Sequence, residues 1–201
     1  MEKTSEDRIL TYVTGLLYFY GVMQFDGLYQ LVREMIPENF DRDDFRVLLE
    51  KALSGDDSPY VFELQGNHYF DIEVDEVEWV LAEQEKRDEL GYRPVTEEEA
   101  QYVITDKYPL LWNQEEKDFF RWLLGFCGND AQLAAPLFLE YEAAIRNNAQ
   151  PLELSQKILM DLNLSEPEKV REAAQKVVEL YKHVPMWTLK GWSPADVLYG
   201  N

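Results

Sequence analysis

The feature that most constrains the fold of this chain is a run of seventeen uncharged residues from Ile9 to Phe25. Apolar and aromatic side chains recur within it at helical spacing, which predicts a heavily buried first helix. A membrane-spanning helix needs roughly 20 apolar residues, whereas this shorter run also contains Thr11, Thr14 and Gln24. The acidic residues that precede the run argue against a secretory signal peptide. We therefore expect the run to build the core of a soluble domain.

The segments that follow predict two further helices and a β-hairpin. Apolar positions from Leu28 to Ile36 indicate the second helix, and Asp41 is placed to cap a third that ends near Leu53. Two runs rich in aromatic and β-branched residues, 60–64 and 68–72, flank the turn signal Gln65-Gly66-Asn67. Three helices followed by a hairpin is the element order of a winged helix-turn-helix. Residues 1–93 therefore resemble a winged-helix unit with an acidic extension.

Residues 94–201 carry helical patterns throughout. Thr96 with Glu99, and Asn113 with Glu116, are capping-box signals that predict helices from about residues 97 and 114. Pro136 is expected to kink or divide one of the later helices. The predicted fold is mainly α: a winged-helix-like unit of three helices and a β-hairpin, followed by a small helical bundle with an ordered tail.

The charge of the chain restricts its partners. Its 201 residues include 39 acidic and 19 basic side chains, a net charge of −20, so the surface repels phosphate backbones and anionic lipids. We expect a protein partner, and a basic one suits this surface best. Nucleic-acid or membrane binding is not expected, and the sequence does not define an oligomeric state.

Residues with catalytic or metal-binding chemistry form no recognisable pattern. The single cysteine, Cys127, permits no internal disulfide, which fits the reducing cytoplasm, and its place at a helix end disfavours a thiolate. The acidic run at 71–82 does not form a calcium loop, because Glu76 and Ala82 replace the required glycine and carboxylate. We therefore predict no catalytic residue, no metal and no cofactor, and expect a protein that is not an enzyme.

The C-terminal segment 185–194 reads Pro-Met-Trp-Thr-Leu-Lys-Gly-Trp-Ser-Pro. Gly191 lies between two tryptophans and suits a left-handed turn, and Ser193 can cap a last helix that begins at Pro194. Trp187 and Trp192 either hold the tail on the bundle or anchor a partner. In the second case the partner-binding residues are Trp187, Gly191, Trp192 and Pro194.

This segment resembles the Pro-x-Trp-x-Leu-x-Gly-x-Ser-Pro signature near the end of a group of bacterial proteins, some of which continue into a zinc-binding SEC-C motif. The similarity is close in this segment and extends to the remaining chain only in element order. It implies a bacterial origin but no activity, and no zinc site is carried over because the cysteines of that motif are missing.

Three functions remain open. The first is a non-enzymatic protein-interaction module of the bacterial cytoplasm. The second is a winged-helix regulator that reads DNA with its third helix, in which Arg42, Arg46 and Lys51 contact phosphate or a base edge, although segment 41–53 has a net charge of −1. The third is an acidic mimic of nucleic acid that occupies a basic partner.

Overall fold

A computed structural model describes residues 4–37, 40–54 and 60–200. The chain divides into two compact units, residues 1–111 and 112–201. Helices dominate the described residues, which confirms the predicted mainly α class. Among these residues, no helix combines the length and the apolar character that crossing a bilayer requires.

The first unit is built around its N-terminal helix. In chain order its elements are α1 (Ser5–Tyr20), β1 (Val22–Gln24), α2 (Phe25–Met35), α3 (Arg42–Leu53), β2 (Glu63–Gln65), β3 (His68–Phe70), α4 (Val77–Glu85), α5 (Glu97–Ile104) and a 3₁₀ turn (Tyr108–Leu110). Every residue of α1 from Ile9 to Tyr20 is buried, which confirms the predicted buried first helix. Thr4 and Asp7 form a capping box at its start.

The three strands form an antiparallel sheet in the order β1-β3-β2. Tyr69, at the centre of β3, pairs with Met23 of β1 on one side and with Leu64 of β2 on the other. The predicted hairpin is confirmed, although its strands are shorter than the sequence pattern indicates. The pattern does not predict β1, because three residues inside a continuous apolar run have no alternation of their own.

Helix α5 belongs to the first unit because it packs closely on α1. Gly15 of α1 and Ala100 of α5 are both buried at this contact. A Cβ added to Gly15 would lie 2.5 Å from the Cβ of Ala100, so the approach requires glycine. The boundary between compact units therefore falls between Leu111 and Trp112, and not between residues 93 and 94 as the sequence suggested.

The second unit is a helical bundle. Its elements are α6 (Gln114–Phe126), α7 (Ala131–Arg146), α8 (Pro151–Asp161), α9 (Pro167–His183), a 3₁₀ turn (Trp187–Leu189) and α10 (Pro194–Tyr199). Residues from several helices fill its core, among them Phe119, Leu123, Phe138, Tyr141, Ile145, Ile158, Val177 and Leu180. Pro136 does not divide α7, which is helical on both sides of it because Ala134 and Phe138 are buried in the same core.

Candidate functional site

The three basic residues expected to read DNA are all engaged by neighbours in the first unit. The Arg42 guanidinium pairs with the Asp26 carboxylate and lies 5.3 Å from the centre of the Phe25 ring. The Arg46 guanidinium lies 4.0 Å from the centre of the same ring. These contacts place two arginines of α3 around one aromatic side chain of α2.

Lys51, the third of these residues, is on the same helix and lies near an acidic side chain. Its Nζ lies 3.5 Å from Oε2 of Glu6, at the start of α1. Both side chains of this pair are largely exposed, as are those of Arg42 and Asp26. Exposed pairs of this kind stabilise a fold by about 0–1 kcal/mol, so their main effect is to reduce the positive field of α3.

The outward side of α3 is acidic with an apolar centre. Phe45, Leu48 and Leu49 are buried, whereas Asp43, Asp44, Val47, Glu50 and Lys51 are exposed. Their spacing of three and four residues puts these five side chains on one side of the helix, which we call the α3 face. Val47, at the centre of this face, is 63% exposed.

A groove beside the α3 face carries charges of both signs. It has a volume of about 570 Å³ and is lined by Asp26, Tyr29, Gln30, Arg33, Glu34 and Arg42. The Arg33 guanidinium lies 5.9 Å from the centre of the Tyr29 ring. Since two carboxylates share this groove with the two arginines, it does not form a concentrated phosphate site.

The sheet ends in an exposed strand. Strand β2 is at the edge, since β3 separates it from β1, and all three of its residues are exposed. Leu64 on this strand is 40% exposed, and Val61 just before it is 43% exposed. An extended peptide can bind to an exposed strand edge of this kind by adding a strand to the sheet.

The two tryptophans of the C-terminal segment differ in burial. Trp187 is completely buried, so it does not present the exposed indole that a partner anchor requires. Gly191 is also buried and adopts φ 85°, the left-handed turn that was predicted. Trp192 and Pro194 are half-buried and retain some accessible surface.

Backbone hydrogen bonds fix the turn that separates the two tryptophans. The Met186 N–H donates to the Trp192 carbonyl at 3.0 Å, and the Gly191 N–H donates to the Met186 carbonyl at 3.1 Å. Ser193 and Asp196 form the capping box of α10, as Ser193 was predicted to do. The sequence pattern did not single out the exposed apolar residues of α10, which are Val197, Leu198 and Tyr199.

A buried group of charged residues in the second unit was missed by the sequence analysis. Glu116 of α6 and Glu142 and Arg146 of α7 are each less than 5% exposed. The Asn113 N–H donates to Oε2 of Glu116 at 2.6 Å, and Oε1 of Glu142 lies 3.6 Å from Nη2 of Arg146. Burial raises the pKa of Glu116, although the hydrogen bond from the Asn113 backbone and the charge of Arg146 oppose this. We call these three residues the buried Glu-Arg cluster.

The signal that could have revealed this cluster is weak. Asn113 and Glu116 were recognised as a capping box, whose glutamate usually faces solvent, and Glu142 and Arg146 have the ordinary spacing of a helical surface pair. Only the packing of α6 on α7 buries Glu116 together with Glu142 and Arg146. The sequence pattern does not contain that information.

Within the described residues, the single cysteine and the potential metal ligands are the remaining candidates for chemistry. Burial and the nearby Asp130 raise the pKa of the Cys127 thiol, so it is a poor nucleophile. Over residues 4–37, 40–54 and 60–200, no three His, Cys, Asp or Glu side chains are grouped to hold a metal ion. The features with chemical character are therefore the α3 face and the buried Glu-Arg cluster.

Comparison with known proteins gives no relative: no family model, curated protein or solved structure matches the chain. A function has to be argued from the chain's own residues.

Proposed function

We propose that the protein is a non-enzymatic protein-interaction module of the bacterial cytoplasm, and that the α3 face is its contact surface. One observation carries this proposal: Val47 is exposed at the centre of a helix face whose other members include Asp43, Asp44 and Glu50. An apolar anchor surrounded by carboxylates suits a protein surface with an apolar pocket and basic residues around it.

A winged-helix-like arrangement of the first unit supports a role in recognition. The order α1-β1-α2-α3-β2-β3, with β3 between the other strands, resembles that of a winged helix, and on that likeness α3 is the helix that would face a ligand. Fold alone does not identify the ligand, since one fold serves many functions. The ligand therefore has to be inferred from the charges and the exposed apolar residue of the α3 face.

Protein binding accounts for that chemistry better than DNA binding does. Contacts from lysine and arginine to phosphate dominate the affinity of DNA-binding proteins. On α3, Arg42 pairs with Asp26, Lys51 lies near Glu6, and Arg46 lies over a ring. The exposed carboxylates of the same helix would lie close to any phosphate that these cations could reach.

Site-specific photo-crosslinking in cells tests the proposal directly. A photoreactive amino acid is placed at position 47, and in a matched control at position 160, where Met160 on α8 is 79% exposed. We expect position 47 to crosslink to one discrete protein, and we expect that protein to be absent from the crosslinks formed at position 160. Identification of that protein by mass spectrometry provides a purified partner for binding measurements.

The affinity of that partner is then compared between Val47→Arg and Met160→Arg variants. Val47→Arg removes the apolar anchor and adds a charge that repels a basic partner, so we expect affinity to fall at least about tenfold, or about 1.4 kcal/mol. Met160→Arg should bind as the wild type does. Duplex DNA that binds the protein tightly, with affinity lost in Arg46→Ala, would refute the proposal in favour of a DNA-binding regulator.

A further inference from the structure

The two edges of the sheet in the first unit differ in exposure. On one side, Val22 and Met23 of β1 are buried, and α4 packs against this strand. On the other side, all three residues of β2 are exposed. Proteins usually protect an exposed strand edge, because its outward backbone groups can pair with a strand of another chain. The edge at β2 is therefore the place where this sheet can be extended.

The hydrogen bonds of β3 show which backbone groups of β2 point away from the sheet. The Asp71 N–H donates at 2.8 Å to the carbonyl of Gly21, the residue just before β1. Tyr69 lies two positions before Asp71, so its backbone groups also point towards β1. Leu64 pairs directly with Tyr69. The N–H and C=O of Leu64 therefore point away from β3, towards the open edge.

The side chain of Leu64 lies on the core face of the sheet. Its cross-strand neighbour Tyr69 is buried, and the ring centre of Tyr69 lies 6.2 Å from that of Phe25. Phe62, two residues before Leu64, has its ring centre 6.1 Å from that of the same tyrosine. Leu64 is 40% exposed at the outer end of this row. A strand added at β2 would place a side chain beside Leu64 on this face, and an apolar side chain would cover the exposed surface.

The charges along this edge favour a basic segment. Glu63 of β2 is exposed, and neither β2 nor β3 contains lysine or arginine. Asp71 follows β3 at the end of the hairpin where Glu63 lies. Because side chains alternate between the two faces of a strand, the neighbours of the apolar residue would lie beside Glu63 and Gln65. A second copy of this chain would instead bring together two net charges of −20.

We propose that β2 binds an extended segment of another protein as a fourth, antiparallel strand of the sheet, and that apolar residues alternate with lysine or arginine in this segment. The Leu64 N–H donates to the carbonyl of one residue of the segment, and the N–H of that residue donates to the Leu64 carbonyl. That residue is apolar and packs beside Leu64, and a basic residue next to it pairs with Glu63. The β2 edge shares no residue with the α3 face, so this proposal does not depend on the proposed function of that face.

A synthetic heptapeptide of alternating lysine and valine, with both ends blocked, tests the proposal on the full chain. N-methylation of its valines removes the N–H groups that bond to β2 and puts methyl groups against that strand. N-methylation of an equal number of its lysines is the matched control, because the lysine N–H groups point away from the sheet. In nuclear magnetic resonance spectra, the unmodified peptide should shift the Leu64 amide signal and slow its hydrogen exchange. The valine-methylated peptide should bind at least about tenfold more weakly, and the lysine-methylated peptide should bind as the unmodified one does.

Charge reversal in the protein tests the basic character of the segment. Glu63→Lys should weaken binding of the unmodified peptide about threefold or more. Glu85→Lys changes the net charge equally and should bind as the wild type does, because Glu85 is exposed at the end of α4, which packs on the opposite edge of the sheet.

Four outcomes would overturn the proposal. They are equal binding of the two methylated peptides, an unchanged Leu64 signal, equal binding by Glu63→Lys and Glu85→Lys, and Leu64 exchange that slows with protein concentration when no peptide is present. The last of these would assign the edge to a second copy of the chain. The peptide comparison uses the unaltered protein, so it decides alone if a variant does not fold.

Discussion

The packing of α5 on α1 can be tested by one added methyl group, in the variant Gly15→Ala. The new Cβ would lie 2.5 Å from the Cβ and 2.7 Å from the Cα of Ala100. Carbon atoms in favourable contact are about 3.5–4.0 Å apart, so the overlap is about 1 Å. Neither atom of Ala100 can rotate away, because one belongs to the backbone and the other is fixed to it. The two helices must therefore separate.

Two opposing terms set the size of the effect. Alanine in place of glycine inside a helix stabilises it by about 0.8–1 kcal/mol. Overpacking of a close contact costs about 1–3 kcal/mol, and the upper end applies here because no side chain can yield. We therefore expect Gly15→Ala to lower the free energy of unfolding of the first unit by about 2 kcal/mol.

Gly27→Ala provides the matched control. Gly27 lies in α2, where a new Cβ would meet only the Met23 Cε at 3.7 Å, so helix propensity should make this variant slightly more stable. Urea unfolding followed by far-UV circular dichroism gives the stability, and amide hydrogen exchange along α1 locates the loss. A Gly15→Ala protein as stable as Gly27→Ala would refute the close packing of α1 on α5, and with it the unit boundary at Leu111.

Two further predictions concern the C-terminal segment, and urea midpoints measure both. Trp187→Ala should destabilise the protein by about 3–5 kcal/mol because the indole is completely buried. Trp192→Ala should cost less than half as much, and equal costs would contradict the difference in burial. Gly191→Ala should cost about 1–2 kcal/mol because alanine rarely adopts its φ of 85°, and an unchanged midpoint would contradict the left-handed turn.

Local signals in the sequence were sufficient for most of the elements. Capping boxes at Thr96 and Asn113 form as predicted, and Ser193 caps α10 as predicted, since each cap depends only on residues three positions apart. Asp41 caps α3 for the same reason, accepting from the N–H groups of Asp43 and Asp44. The mainly α class follows from such local rules and from the helical spacing of apolar residues.

Features that depend on contacts distant in sequence could not be predicted in this way. Strand β1 exists because Met23 pairs with Tyr69, and α5 joins the first unit because Gly15 meets Ala100. The difference in burial between Trp187 and Trp192 likewise depends on contacts distant in sequence. Residue type alone predicted both as candidates, because an indole serves equally as core and as interface.

The α3 helix is where this limitation bears most on function. Arg42 and Arg46 have the residue type and position expected of a DNA-reading helix, but their guanidinium groups lie 5.3 and 4.0 Å from the centre of the Phe25 ring. A cation over a ring is stabilised by about 0.5–2 kcal/mol, which restrains both guanidinium groups, and any phosphate that reached them would also approach Asp43 and Asp44. A basic protein surface can instead pair with those carboxylates while both arginines stay over the ring. The arrangement around Phe25 therefore supports the proposed protein partner, because the exposed carboxylates of α3 would then gain basic partners.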